Sequence, residues 1–416
     1  MKLELKRQDF LKAWQIAERF VDSKTAKEAI GGILISAGED NTVRLEATDL
    51  KTSVRCRAEG VNVIEQGQAV VPAMILGSMI KKSAADDLML EVNAERGFLN
   101  AGNSKTRFAV FTVEEFPKIP ESASADNICE IAASELARAI VEGGSSASQP
   151  TDFPRYIGAC MLRAGDGCLR GISTDGKRLS LSKVLCETIT KDEDLLLPAQ
   201  ALKDFGKTLS SSYDGSATVK ILADDSTVWF GLEGVEFSIR RVDATFPIYE
   251  RILNNVVKTS LDIDSLTLAS VLERIDIIAK TTTAHIMSMT LNPAGSLKIM
   301  ARAPEKGTAS EELEASVGGE YMQIGFNVAY FLDGLKVLGP GNVHIEFSDE
   351  EGQTRMKRAG HEEEFLYMLM PARLSPQDRA AEDEMGEFYS QADPDDDDEE
   401  DQDYNADENN GENFQQ

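Results

Sequence analysis

The stretch Val70-Val-Pro72-Ala-Met-Ile-Leu-Gly-Ser-Met-Ile-Lys-Lys-Ser83 decides the fold. It reads as a short strand that turns directly into a helix. Pro72 suits the first helical turn, where no N–H is needed and φ near −65° is wanted. Ile75/Met79 and Leu76/Ile80 repeat at i, i+4 and give one apolar face. The pattern returns at Leu196-Leu-Pro198-Ala-Gln-Ala-Leu202, continued by Phe205 and Leu209. It returns again at Ile324-Gly-Phe-Asn327-Val328, continued by Phe331, Leu332 and Leu335. Pro72 to Pro198 is 126 residues, and Pro198 to Asn327 is 129.

A second marker has nearly the same period. The alternating strands that begin at Phe108, Phe237 and Phe365 lie 129 and 128 residues apart, and Phe116-Pro117 precedes Phe246-Pro247 by 130. A period this long exceeds that of solenoid repeats, so each copy is expected to be a domain with its own core. The expected boundaries are 1–121, 128–258 and 259–374. The class is α+β: three tandem copies, each with two helices packed on antiparallel sheets. Expected helices are Arg7–Phe20 (stripe Phe10, Trp14, Ala17, Val21), Pro72–Ser83, Ser134–Glu142, Pro198–Ser210, Asp264–Lys280 and Phe326–Leu338. Asp175-Gly176 marks a tight hairpin turn, because both positions tolerate φ > 0.

The 416 residues carry a net charge of −28, with 71 acidic against 43 basic side chains. The last 42 residues hold 17 acids and one arginine, so residues 1–374 carry only −12. This tail, 375–416, has too few apolar groups to offset its ordering entropy and is expected to be disordered. No leader pattern opens the chain and no run of ~18 apolar residues occurs, so a cytoplasmic protein without membrane contact is expected. Five scattered cysteines and three scattered histidines fit neither a disulfide framework nor a zinc site. No metal or cofactor is expected.

Gly171-Ile-Ser-Thr-Asp-Gly176-Lys177-Arg178 almost spells a phosphate-binding loop. However, Arg178 replaces the Ser or Thr that would reach magnesium, and the alternation of Leu179 and Leu181 indicates a strand where a helix is required. No other catalytic spacing is present, which points to a scaffold. Like units placed side by side can join sheets edge to edge, and a rotation near 60° per unit would let two chains close a ring. The six helices sum to +2 against −12 for the body, so Lys81, Lys82, Lys203, Lys207 and Lys336 are expected to give the helical face a diffuse positive potential. Such a field holds phosphate without reading sequence.

Thr174-Asp-Gly-Lys-Arg-Leu179, Val242-Asp-Ala-Thr-Phe-Pro-Ile-Tyr249, Ile324-Gly-Phe-Asn-Val328 and Met370-Pro-Ala-Arg-Leu374 resemble the bacterial DNA polymerase sliding clamp, the β subunit. The resemblance spans Met1–Leu374 in order. It implies a head-to-tail homodimeric ring of six domains around duplex DNA, a processivity factor opened by a clamp loader and tethering DNA polymerase III and repair proteins. It also implies a pocket for partner peptides between the second and third domains. By position its lining is Ile157, Thr174, Gly176, Lys177, Arg178, Leu179, Pro247, Arg251, Ile252, Met368, Met370, Pro371, Ala372, Arg373 and Leu374. That is an apolar cleft with arginines at its edges. DNA contacts are implied at Lys24, Thr151, Arg155 and Tyr156, and a dimer interface at Phe108 and Val110 against Ile277 and Ile278 of the second chain. Lys177 stands where the family commonly has histidine, and Lys24–Ile30 lacks the family's prolines. Two other readings remain: a phosphate-ester or nucleotide hydrolase using residues 175–178, and a decoy whose acidic tail mimics DNA. The tail's charge beside Arg373 is further expected to keep stray DNA and acidic partners off the pocket face, an effect that salt would screen.

Overall fold

The structure is a computed structural model describing residues 1–22, 27–93, 95–149, 153–254 and 256–376. Met1–Arg373 is one compact unit, and Leu374–Gln416 is a second. The tail expected to be disordered falls almost wholly on 377–416, outside the described residues.

One order of elements occurs three times. The first pass is β1 (Lys2–Lys6), α1 (Arg7–Glu18), β2 (Gly32–Ala37), β3 (Val43–Thr48), β4 (Thr52–Ala58), β5 (Val61–Glu65), β6 (Gly67–Pro72), α2 (Ala73–Lys82), β7 (Asp87–Val92), β8 (Arg96–Ala101) and β9 (Ser104–Ala109). The second is β10 (Asp126–Ala132), α3 (Ala133–Gly143), β11 (Ala159–Gly165), β12 (Cys168–Thr174), β13 (Arg178–Leu185), β14 (Thr188–Ile189), β15 (Glu193–Pro198), α4 (Ala199–Ser212), β16 (Thr218–Ala223), β17 (Thr227–Leu232) and β18 (Val235–Arg240). The third is β19 (Thr259–Asp264), α5 (Ser265–Ala279), β20 (Ile286–Asn292), β21 (Ser296–Ala303), β22 (Gly307–Glu314), β23 (Ser316–Gly319), β24 (Met322–Asn327), α6 (Val328–Leu338), β25 (Asn342–Phe347), β26 (Thr354–Arg358) and β27 (Phe365–Leu369).

Each repeat builds two antiparallel half-sheets, and neighbouring repeats fuse them. The sheet β14-β10-β16-β17-β18-β4-β3-β2-β6 joins repeats one and two, and β15-β11-β12-β13-β27-β26-β25-β19-β23 joins two and three. Among the described residues two half-sheets have no neighbour of this kind: β5-β1-β7-β8-β9 in repeat one and β22-β21-β20-β24 in repeat three.

The helices form one row. α1 packs on α2, α3 on α4, and α5 on α6. Between pairs, Arg19 after α1 donates to Thr208 Oγ1 (3.2 Å) and Ser211 Oγ (3.0 Å) on α4. Arg358 bridges the buried Glu142 on α3 (2.9 Å) and the Val337 carbonyl on α6 (3.0 Å). On α1 the apolar stripe buries Phe10, Trp14 and Ala17, but the helix ends at Glu18, so Val21 lies beyond it. In repeat two the sheet face under α3 is small and polar. A Cβ on Gly143 would lie 2.4 Å from the Gly171 carbonyl carbon, so backbone meets backbone there. Ser180 Oγ fills the gap by donating to Gly143 O at 2.7 Å.

The opening motif is one residue out from expectation. Pro72 and Pro198 close their strands as N-caps with extended ψ, and the helices start at Ala73 and Ala199. In the third copy Asn327 takes this place and its side chain accepts from Tyr330 N, a bond proline cannot offer.

The second marker is out of register. The structure aligns Phe111 N→Val70 O (2.9 Å), Val242 N→Leu196 O (2.8 Å) and Ala372 N→Gly325 O (2.8 Å), each two residues before the helix cap. Phe108 is therefore equivalent to Ile239 and Leu369, spacings of 131 and 130 rather than 129 and 128. Strand side chains share a face every second residue, so a two-residue slip leaves the apolar pattern intact and cannot be seen in it.

Candidate functional site

At the joint of repeats two and three, β13 pairs with β27 as Leu179↔Met368 and Leu181↔Leu366. These residues point to the face opposite the helices. With Ala159, Met161, Ile172, Leu196 and Tyr249 they form a separate apolar cluster outside the two main cores, flanked by Tyr156, Val242, Phe246 and Leu253. Most of its cover is the segment 242–253. Two side chains of repeat three pin that segment: Gln353 Nε2 donates to Ile252 O (2.8 Å), and Arg355 Nη1 to Leu253 O (2.9 Å). The rim remains open, since Met370 and Ile252 are 44% and 43% exposed.

Of the expected pocket residues, Leu179 and Met368 lie buried in the floor. Pro247, Arg251, Ile252, Met370 and Arg373 are exposed, and Ile157, Pro371 and Ala372 are half-buried. Met370 N donates to Lys177 O at 2.8 Å, which places the chain end of β27 beside the 174–178 turn. Arg373 reaches Glu351 at 3.7 Å. Leu374 belongs to the second unit.

Arg178, expected at the edge of the cleft, is tied to α6. One residue from Leu179 on a strand, it faces the opposite side. Its guanidinium is 4.4 Å from the ring centroid of Tyr330 on α6 and pairs with Asp175 (3.0 Å) and Asp333 (2.6 Å). It also donates to Tyr367 Oη at 3.3 Å. Burial pushes the Tyr367 phenol up to about 12, against the pull of this arginine. Arg178 thus fixes the sheet to α6 from behind the cluster.

The near-phosphate-loop is a hairpin turn. Gly176 has φ +85°, and Thr174 Oγ1 donates to Arg178 O (2.6 Å). Asp175 Oδ1 accepts from the N–H groups of Lys177 (2.9 Å) and Arg178 (3.0 Å). A carboxylate therefore occupies the amide nest that a phosphate would need. Thr48-Asp49-Leu50-Lys51-Thr52 forms the same turn in repeat one, with Asp49 Oδ1 accepting from Lys51 N (2.9 Å) and Thr52 N (2.6 Å). The same turn thus closes the equivalent hairpin in repeats one and two.

Lys81, Lys82, Lys203, Lys207 and Lys336 are exposed on the helical row, and Lys207 pairs with Asp204 at 3.2 Å. Arg155 is exposed, whereas Tyr156 stacks edge-on against Phe246, 6.1 Å between centroids, and so belongs to the apolar cluster. Lys24 and Thr151 lie outside the described residues. Phe108 is on β9 with its ring buried over Gly97, Val110 is half-buried just beyond, Ile277 is 56% exposed on α5 and Ile278 packs on the core of repeat three. Sequence reasoning missed Tyr249, Phe246, Gln353 and Arg355. The first two lie in the quoted run 242–249, where their aromatic character was the available signal. The last two act on backbone carbonyls, which no side-chain pattern reveals.

Two family models match: DNA polymerase III beta subunit, N-terminal domain, over residues 1–120, and its C-terminal domain over 250–373. The β sliding clamp of Pseudomonas aeruginosa is 27% identical over 377 residues, spanning 90% of this chain and 100% of that protein. A crystal structure of the DNA polymerase III subunit beta from Pseudomonas aeruginosa superposes with a TM-score of 0.84 at 26% identity, covering 90% of this chain and 100% of that one. The Thermotoga maritima β subunit has the same fold at 22% identity, TM-score 0.82, with the same coverage. Relatives matched along their whole length also span 121–249, which neither domain model reaches, and from end to end of that shared length the chain belongs to the bacterial β sliding clamp family, the β subunit of DNA polymerase III.

Proposed function

We propose that two copies of this chain close head to tail into a ring that encircles duplex DNA and serves as a processivity clamp. The carrying observation is the pair of unpartnered half-sheets. β9 holds the place that β18 and β27 hold at the two internal joints, and β22 holds the place of β4 and β13. Sheet edges left open this way invite another chain. Their charges are opposite: Lys105 and Arg107 on β9, Glu311, Glu312 and Glu314 on β22.

The internal joints also supply a register. Ser53↔Ser238 and Leu179↔Met368 are equivalent pairs. Carried to the third joint they give Arg107 opposite Thr308 and Thr106 opposite Ala309 of the second copy. Lys105 then lies diagonal to Glu312, within reach of a long side chain. The open edges, Phe108, Val110, Ile277 and Ile278 thus come together at one interface. Six repeats, read as domains 1–121, 128–258 and 259–374 in each chain, would line the hole with the helical row, whose lysines would hold the phosphate backbone without sequence preference. Lys24, Thr151, Arg155 and Tyr156 remain proposed contacts from the family resemblance.

The apolar cluster at Leu179 and Met368, with its open rim at Met370, Ile252 and Arg251, is the proposed seat of short peptides from polymerase III, the clamp loader and repair proteins. Such a groove buries aliphatic or aromatic anchors. The protein would act in the cytoplasm as a scaffold, with the ATP of ring opening hydrolysed by the loader. No helix among the described residues is long and apolar enough to cross a membrane.

The test is covalent. A chain carrying Thr106→Cys and Ala309→Cys should form a disulfide-linked dimer under mild oxidant, because directly opposed strand residues have Cα separations within disulfide range. Light scattering of the wild-type chain should give a dimer. A monomer in solution, or linking only with the cysteine moved two residues along β22, would overturn the ring as described.

A further inference from the structure

The joint of repeats one and two repeats the backbone of the peptide joint but not its chemistry. Where the latter pairs Leu179↔Met368 and Leu181↔Leu366, the former pairs Ser53↔Ser238 and Arg55↔Glu236 on the same outward face. Arg55 is neutralised, lying 2.8 Å from Glu46 and 3.0 Å from Glu236. Beside it the ladder sets Arg44 directly opposite Arg57. Both are exposed, and neither has an ion-pair partner within 4.0 Å among the described residues. Asp40, which accepts from Thr42 N (3.1 Å) and Thr42 Oγ1 (2.6 Å), feels the charge of Arg57 from beyond ion-pair distance and leaves Arg44 and Arg57 partly uncompensated.

Like charges directly across an antiparallel ladder repel. This pair forms the ridge between two surface cavities and lines both. One, of about 560 Å³, runs along the joint past Ser122, Gly231 and Glu236. The other, of about 800 Å³, runs past Ser36, Gly38 and Gln68. The two forked guanidinium groups thus stand between the cavities, whose linings also carry Asp40, Glu121 and the Arg55-paired Glu236, and the arginines outnumber the carboxylates in each. Among the described residues no aromatic side chain lines either cavity, which disfavours the stacking platform of a single-stranded nucleic acid site. Forked guanidinium groups suit carboxylates, which they hold through paired N–H bonds.

We propose that this groove binds an extended acidic peptide segment, with two of its carboxylates seated on Arg44 and Arg57. It is the polar counterpart of the apolar peptide site one joint away. The two sites would therefore select different segments, one by aliphatic and aromatic anchors and one by charge.

The probe is a fluorescein-labelled peptide of alternating aspartate and glutamate, twelve residues long, titrated by anisotropy at low salt. Because the sequence beyond Pro376 is itself acidic, both the full chain and a chain ending at Pro376 are titrated. Saturable binding that falls at least tenfold in Arg44→Gln/Arg57→Gln, and is unmoved by Arg96→Gln on β8, is the expected result. Saturation by the shortened chain alone supports the same site chemistry, provided the double variant abolishes it. The variant should fold with an unchanged or raised Tm, since it removes a repulsion. The proposal is overturned if the double variant binds as tightly as wild type, if neither chain binds, or if a labelled single-stranded 12-mer binds at the two arginines as well as the peptide does.

Discussion

The two internal joints share a strand register but differ in every side chain that faces outward. Ser53, Ser238, Arg55 and Glu236 close one; Leu179, Met368, Leu181 and Leu366 close the other. The common part is the backbone ladder, whose hydrogen bonds are indifferent to side chain. The side toward the helices is buried in both, yet its residues differ as well: Val54 and Phe237 at one joint, Ser180 and Tyr367 at the other. A chain built this way keeps one strand register at both internal joints while presenting different side chains on the outward face of each.

The joints also differ in how their charges are buried, and this yields the largest expected effect. Glu142 is 5% exposed, accepting from Ser182 Oγ at 2.6 Å and pairing with Arg358 at 2.9 Å across the second joint. Glu142→Ala would leave Arg358 short of its counter-charge and should cost about 3 kcal/mol in urea unfolding. Glu236 at the first joint is more open, and Glu236→Ala should cost about 1 kcal/mol or less. Equal losses would show that burial does not separate the two joints.

Next in size is ligand selection. Met370 on the rim of the apolar site is equivalent to Arg240 beside the polar one. An aliphatic–aromatic partner peptide should lose more than tenfold in affinity, about 1.4 kcal/mol, on Met370→Asp, and nothing on Arg240→Asp. Both residues are exposed, so folding is not at stake. Isothermal titration of both variants decides the matter, and loss in both would mean the sites are not independent.

Much of this difference was legible before the structure, but unevenly. The strand-to-helix motif fixed the threefold repeat because a proline or asparagine cap pins a single residue. The Phe108/Phe237/Phe365 marker misplaced its register by two, because alternation has no absolute origin. Leu179 and Met368 could be assigned to a pocket from their apolar character and the family resemblance. Arg178 could not be placed, since facing is a matter of parity along β13 that a one-residue neighbour does not reveal. Tyr156, whose DNA contact is implied by the family resemblance, also packs on Phe246, an aromatic contact between segments about 90 residues apart that the sequence does not show.

The smallest effect concerns acid. Glu364 leads into β27 at the second joint, where His361 donates to it (3.1 Å) and Arg138 of α3 pairs with it (2.8 Å). The hydrogen bond from His361 holds this carboxyl below its usual value of 4.5; burial pushes the other way, and the charges of Arg138 and His361 add to the downward pull. A carboxyl whose folded pKa is depressed stabilises the folded state above its unfolded pKa and loses that contribution as pH falls through the folded one. The second joint should therefore weaken below about pH 4.5, the ordinary carboxylate value, and Glu364→Gln should flatten that limb of the urea-midpoint profile. With the side chain 44% exposed, the pairs are partly screened by solvent and the change in midpoint should be small. An acid limb as steep in Glu364→Gln as in the wild-type chain would move the source of acid sensitivity away from this joint.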